Sequence, residues 1–410
     1  MEQAKNKRGA LLVIQMIVML IMGFVYVYSI ILPYVMERFA VDKATAAIPY
    51  SVVLSVFVVG NLIGGLMQKK ISTKKCLAIG YAGMIIGAGL TAILPANSYW
   101  MMSITFGVII GLGNGIVYNV LIALGQKWWP DKRGLITGLL LAFLGVSGTI
   151  LSPIVSALLI KYGYTTTFLA CAGMFTVIAI IAVSALKAPP EGYMADYAAP
   201  KKAGGAAIST KQYTTGEMVK TKAYYMVTAA FMFAMPAYVL ISAIFVAVGT
   251  ERGIDTAMLV TGVMIASLGQ VAGRFLISAI SDKIGRKIAL IFSFAITAAM
   301  IILLVNAQST LYIIGFALLA FAYGGAVATF PSLVSDYFGV KHIGINYAVV
   351  MIGFGLATIF TPIMSKAVLA TQRGITLSFI IAGCAAAFAI LLVIILKKPK
   401  EDSVMQEETK

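Results

Sequence analysis

Val271-Ala272-Gly273-Arg274-Phe275-Leu276 reappears 213 residues earlier, without gaps, as Val58-Val59-Gly60-Asn61-Leu62-Ile63. The same offset sets Lys283-Ile284 on Lys70-Ile71 and Lys287 on Lys74. A second pair keeps the same order: Gly134 precedes Pro153 by 19 residues, and Gly344 precedes Pro362 by 18. Glycine and alanine are frequent in membrane helices, so each match is weak alone. Taken in sequence, the matches support a parallel duplication of one helical unit.

Around these repeats lie long apolar runs. A bilayer core needs about 20 apolar residues in a helix, and twelve runs meet that length: Ala10–Met36, Thr45–Met67, Cys76–Ala96, Tyr99–Gln126, Leu135–Ile160, Thr165–Leu186, Ala223–Val248, Ala257–Ser281, Ile288–Asn306, Thr310–Val334, Ile345–Ala367 and Ile375–Leu396. A β-barrel would show short alternating strands instead, so the expected fold is an all-α membrane protein with twelve transmembrane helices. The first run follows Lys5, Lys7 and Arg8 without a small-residue cleavage site, which predicts a retained helix rather than a signal peptide.

Composition agrees. Apolar residues make up 60% of the 410-residue chain and charged ones 11%, against about 45–50% and 25% in soluble proteins; the mean hydropathy is +0.97. Such a chain cannot build a soluble surface, which excludes a water-soluble enzyme and a nucleic-acid-binding protein despite the net charge of +16. The positive charge is instead placed by topology. With both termini inside, cytoplasmic segments hold 24 Lys/Arg and external ones 6, with Arg274 left inside a span. This bias predicts a multi-pass protein of the plasma (inner) membrane with both termini cytoplasmic. The longest hydrophilic stretch, residues 188–222, predicts a cytoplasmic linker between a six-helix bundle over residues 1–187 and a second over 223–410 that ends in a short tail. Cys76, Cys171 and Cys384 stand in apolar runs as packing residues. A lone histidine, His342, gives no basis for a metal centre. No cofactor is expected.

Several motifs carry a family resemblance. Gly273-Arg274 with Ser281-Asp282-Lys283-Ile284-Gly285-Arg286-Lys287 resembles the loop that the major facilitator superfamily places between helices 8 and 9. The equivalent earlier loop, Gln68 to Lys75, keeps the positive charges but lacks the acidic residue and the glycine. Trp128-Trp129-Pro130-Asp131-Lys132-Arg133-Gly134, Phe330-Pro331-Ser332-Leu333, Asp336-Tyr337-Phe338-Gly339 and Pro189-Pro190-Glu191-Gly192-Tyr193 are similar to the oxalate/formate antiporter-like branch, a relative of the monocarboxylate porters. The resemblance covers the whole chain and implies the major facilitator fold, two pseudo-symmetric bundles with alternating access. It also implies a substrate-binding arginine at Arg274 and gating residues at Asp282, Arg286 and Asp336.

The residues themselves point the same way. An arginine inside a span costs about 2.5–3.5 kcal/mol on insertion scales. Arg274 lies seven residues before Ser281, about 10 Å below the span's end. Side chains lean towards the N-terminus of their helix, so the guanidinium reaches inward. Its planar donor fork matches a carboxylate, and no Asp or Glu stands mid-span to pair with it. The competing reading is an arginine that snorkels to the surface or ties backbone carbonyls. Tyr118, about 12 Å from the end of its own span, is expected to assist as a hydrogen-bond donor. Asn61, the repeat counterpart of Arg274, is a further candidate contact. So are Leu144, Tyr323, Phe330 and Phe354 as pocket walls, each with helix packing as its alternative. Two departures bear on the substrate. Monocarboxylate porters often carry an Asp four residues before the arginine, where this chain has Gln270. Oxalate exchangers carry a second cation at the position that aligns with Phe354. One fixed charge suits a monoanion such as lactate, pyruvate, formate or acetate. The expected function is a secondary transporter of small monocarboxylates, coupled to protons. The rivals are an anion exchanger of the oxalate/formate type and a non-transporting sensor on a transporter scaffold. The expected partners are a small carboxylate anion, protons and the lipid bilayer.

Overall fold

In a computed structural model of the chain, residues 2–46, 48–190, 193, 211–369 and 374–399 are described. Glu191, Gly192 and residues 194–210 of the expected linker, and the expected tail beyond residue 399, lie outside that set. Among the described residues the chain is helical and holds no strand. Ten helices among the described residues are long and apolar enough to cross a membrane. One of them, Arg133–Ala185, contains both the fifth and the sixth expected runs, divided at Gly163, whose φ of 73° no helix residue adopts. The eleventh run is the helix Ile343–Leu369. Backbone polar groups have no partner in hydrocarbon, which is why runs of this apolarity close their hydrogen bonds within the helix.

The first crossing is not straight. Glu2–Met22 passes through a more tightly wound 3-10 helical segment at Gly23–Val27 into Tyr28–Phe39. The fourth, Tyr99–Trp128, widens into a π-helical segment at Ser103–Ile110.

The duplication read in the sequence returns as a duplicated contact. A Cβ built on Gly60 would enter the backbone of Leu112, and one built on Gly273 would enter the backbone of Phe321. The two glycines are 213 residues apart. In each case two helices touch through bare backbone, the close approach that small residues permit in membranes. Aromatic rings fill the space behind these contacts. Phe24 packs edge-on against Phe106, Phe168 and Phe175, while Phe245 stacks with Tyr312 and Phe316. Outward faces carry exposed aliphatics such as Ile160 and Ile302.

Helices from before and after the linker meet along two seams. Arg133–Ala185 packs on Thr256–Ile284, and Ile48–Met67 packs on Ile343–Leu369. The turns holding Lys69–Lys75, Lys127–Arg133 and Lys283–Lys287 gather at one end of the molecule, called the basic end below.

Candidate functional site

Between the two seams lies a cavity of about 330 Å³, walled from both sides. Arg274, Gln270 and Tyr323 face Tyr118, Leu144 and Phe57 across it. Arg274 stands in the Thr256–Ile284 helix and leans one turn towards its N-terminus. Nη2 donates to Gln270 Oε1 at 3.1 Å, and Nη1 donates to the Leu141 carbonyl at 3.1 Å. Nε is buried with no hydrogen-bond partner. Among the described residues no carboxylate forms an ion pair with it. The competing reading is therefore half realised, since one donor does tie a carbonyl. The charge and the Nε N–H remain unanswered by the protein, and a cation inside a span is costly in that state.

Tyr118 reaches the cavity and pairs with Tyr347, their hydroxyls 3.2 Å apart. This contact joins the helix Gly111–Trp128 to the helix Ile343–Leu369 and leaves phenol oxygens at the cavity wall. Phe57 meets Tyr118 edge-on at 5.0 Å. On the opposite wall Tyr238 stacks on Tyr323 at 4.5 Å. Phe354 lines the cavity beside Phe231. Tyr347 and Tyr238 were not among the residues expected from sequence. Aromatics are common in spans, and nothing in a run of letters shows which face of a helix looks inward.

Two expected contacts are placed elsewhere. Asn61 is fully buried outside the cavity wall. It accepts from Asn119 Nδ2 at 2.5 Å and donates to Met351 Sδ at 2.8 Å. Asn119 also donates to the Gly344 carbonyl at 2.8 Å and accepts from Gln68 at 2.6 Å. These are inter-helix ties. Asn61 shares the repeat register of Arg274 but has too short a side chain to reach past Met351. Phe330 sits behind the wall, stacked on Phe231 at 4.2 Å. Asn114, by contrast, lines the cavity and donates to the Met22 carbonyl of the first crossing.

Below the cavity the basic end is closed by charge. Asp282 accepts from the backbone N–H groups of Gly134 at 2.9 Å and Leu135 at 2.8 Å. These are orphan donors of the first turn of Arg133–Ala185, where the helix dipole favours an anion. Arg286 then donates to Asp282 at 2.5 Å and to Asp336 at 2.9 Å. Arg133, which the sequence reading did not single out, approaches Asp336 at 3.4 Å with its side chain 1% exposed. Two arginines and two aspartates make the cluster neutral, the condition under which buried charges persist. Gln126 bridges Thr137, at 3.0 Å, and Ser335. The expected gating residues thus come together, across the seam.

The duplicated position does not repeat the lock. Lys69, the counterpart of Asp282, donates to Thr215 Oγ1 at 3.3 Å. Thr215 in turn bonds Asn346 at 3.0 Å, Asn346 donates to the Tyr213 carbonyl, and Tyr213 N–H donates to that of Phe338. Residues 211–218 of the linker thereby lie as a strap across the basic end. The motif after residue 127 is a clamp here too: Trp128 Nε1 donates to the Lys187 carbonyl, and Arg8 stacks on Trp129 and pairs with Asp131. His342 lies beside the strap. Burial first, then Lys341, Lys69 and Lys127, hold its pKa below the ordinary 6.5, so it is neutral at pH 7.

The chain matches the family described as Major Facilitator Superfamily over residues 14–267 and 226–409. It is 24% identical over 349 residues to the uncharacterized MFS-type transporter YhjX of Escherichia coli (strain K12), covering 82% of each chain. It is 27% identical over 315 residues to the oxalate:formate antiporter of Oxalobacter formigenes, covering 76% of this chain and 73% of that one. Among solved structures it is similar to the transporter FucP in the outward conformation, with a TM-score of 0.73 at 14% identity over 95% of this chain and 99% of that one.

Proposed function

The chain belongs to the Major Facilitator Superfamily, a multi-pass membrane transporter and not an enzyme, and on that premise we propose that it carries small monocarboxylate anions by alternating access. One observation carries the reading: Arg274 lines the cavity, and among the described residues no carboxylate answers its charge. A carboxylate seated there accepts charge-assisted hydrogen bonds from the guanidinium fork, and the Tyr118 and Tyr347 hydroxyls are at hand for its second polar group. The cavity is at the small end of the usual range of about 300–1,000 Å³. Phe354 and Phe231 add apolar wall and Arg274 is the one cation among the described lining residues, which favours a monoanion over oxalate.

In this reading the two bundles, residues 1–187 and 223–410, rock about the seams. The basic end faces the cytoplasm of the plasma membrane with both termini. The charge cluster of Asp282, Arg286, Asp336 and Arg133 is the inner gate.

Coupling follows from the cavity wall. No Asp, Glu or His lines it among the described residues, so in proton symport the proton travels with the substrate or water. The same observation favours a second reading, exchange: an empty carrier presents a bare cation to the hydrocarbon, while a loaded one is neutral, so translocation is fastest when an anion occupies each direction. Proteoliposomes holding the purified chain separate these. Lactate or pyruvate uptake driven by an imposed pH gradient supports symport. Uptake that needs internal formate or acetate, with no response to the gradient, supports exchange. Strong stimulation by internal oxalate would overturn the monoanion assignment, and no flux with any small carboxylate would leave the scaffold a sensor.

A further inference from the structure

The strap leads into a second cavity, remote from Arg274. It holds about 650 Å³ and lies where the helix Lys222–Glu251 begins and the helix Gly374–Ile395 ends. Five lysines from three segments ring it: Lys211, Lys220, Lys222, Lys397 and Lys398. The one acid among the lining residues, Glu217, is engaged. Its carboxylate accepts from Thr214 in a capping box and lies 3.7 Å from Lys211. The lining also has an apolar part, to which Ala223, Met226 and Ile395 belong. That part continues onto the outward face of the last helix, where Leu391, Ile394 and Ile395 are each about half exposed (52%, 51% and 51%).

We propose that this crevice binds the phosphodiester headgroup of an anionic phospholipid, with its acyl chains laid against the last helix. Lysines alone would suit any phosphate. The continuity of a cationic rim with an apolar lining and a lipid-facing surface selects an amphiphile. Basic clusters beside a membrane helix attract anionic lipid at about fivefold per lysine. The occupant also has a mechanical address. Lys211 begins the strap that joins Lys69 to Asn346 across the seam and Lys220 follows it, so a bound headgroup holds the strap down and favours the closed basic end.

The test uses the full chain purified in detergent and returned to nanodiscs. Phosphatidylglycerol raises the unfolding temperature above that in phosphatidylcholine, and native mass spectrometry shows retained phosphatidylglycerol. K220Q/K222Q/K397Q/K398Q loses that retention by more than tenfold, while K70Q/K75Q, which removes two lysines of an open basic turn, keeps it. Should the fourfold variant fold poorly, K220Q and K397Q each weaken retention about fivefold and K220R and K397R restore it. Equal retention in wild type and all lysine variants overturns the proposal. So does protection by sodium phosphate as strong as that by the lipid, which would make the crevice a site for a soluble anion.

Discussion

Arg274 spends two of its five N–H donors on protein acceptors, and the fold supplies nothing for its buried Nε. Lysine at this position keeps the charge and loses the fork. Arg274→Lys therefore folds and inserts, and its carboxylate affinity falls by the worth of one charge-assisted bond, about 1.5–3 kcal/mol or roughly 10- to 150-fold. Uptake at matched membrane abundance checks this, and wild-type transport in the variant would remove Arg274 from the site. This residue was legible in the sequence because a charge in a span is expensive, so its presence is itself informative. Tyr347 was not legible, because a tyrosine at that depth costs little whichever way it faces. Asn61 was misleading for a related reason. The repeat preserves its backbone register, while the length of its side chain decides what it touches, and Asn119 and Met351 are what it meets.

At the scale of helices, the closest contact to the site is Gly145 of Arg133–Ala185. A Cβ there would stand 2.7 Å from Arg274 Nη1, too near for both to keep their places. The guanidinium is the mobile end of a long side chain, so the clash is relieved by moving it rather than by separating the helices. Gly145→Ala is expected to leave the folded state within about 1 kcal/mol of wild type, since alanine also favours the helix, while weakening substrate affinity at least tenfold. Thermal unfolding with and without ligand measures both; unchanged affinity would show that Arg274 has room to spare. The helices themselves were read correctly as apolar runs because a bilayer admits so few alternatives. Their ends were less legible. Lys161, Tyr162 and Gly163 look like a loop between two spans, yet the chain bends at Gly163 alone and resumes as a helix at once.

For the molecule as a whole, the two sides of the basic end are locked differently. On one side a carboxylate crosses the seam to cap a helix; on the other a lysine holds a strap. Asp282→Asn keeps one acceptor oxygen where Gly134 and Leu135 now use two, and it leaves Arg286 with one aspartate in place of two. The closed basic end then loses about 1.5–3 kcal/mol, and a cysteine placed at Ser332 reacts at least tenfold faster with a membrane-impermeant thiol reagent applied from the basic side. An unchanged rate would mean that the Gln126–Ser335 and Tyr118–Tyr347 contacts hold the end shut without Asp282. The loss of the acidic residue from the first copy of the loop was visible in the sequence. What replaces it was not, since the strap comes from a linker with no repeat partner. Arg274 and Asp282 stand eight residues apart on one helix, about 12 Å along its axis, and Gly273 presses that helix against the Phe321 backbone. The proposed substrate seat and the proposed bolt are therefore two points on one helix, with a close backbone contact beside the seat. If the proposed carboxylate draws the guanidinium into the cavity, it pulls on the same helix that carries Asp282, so occupancy needs no relay of side chains to reach that end.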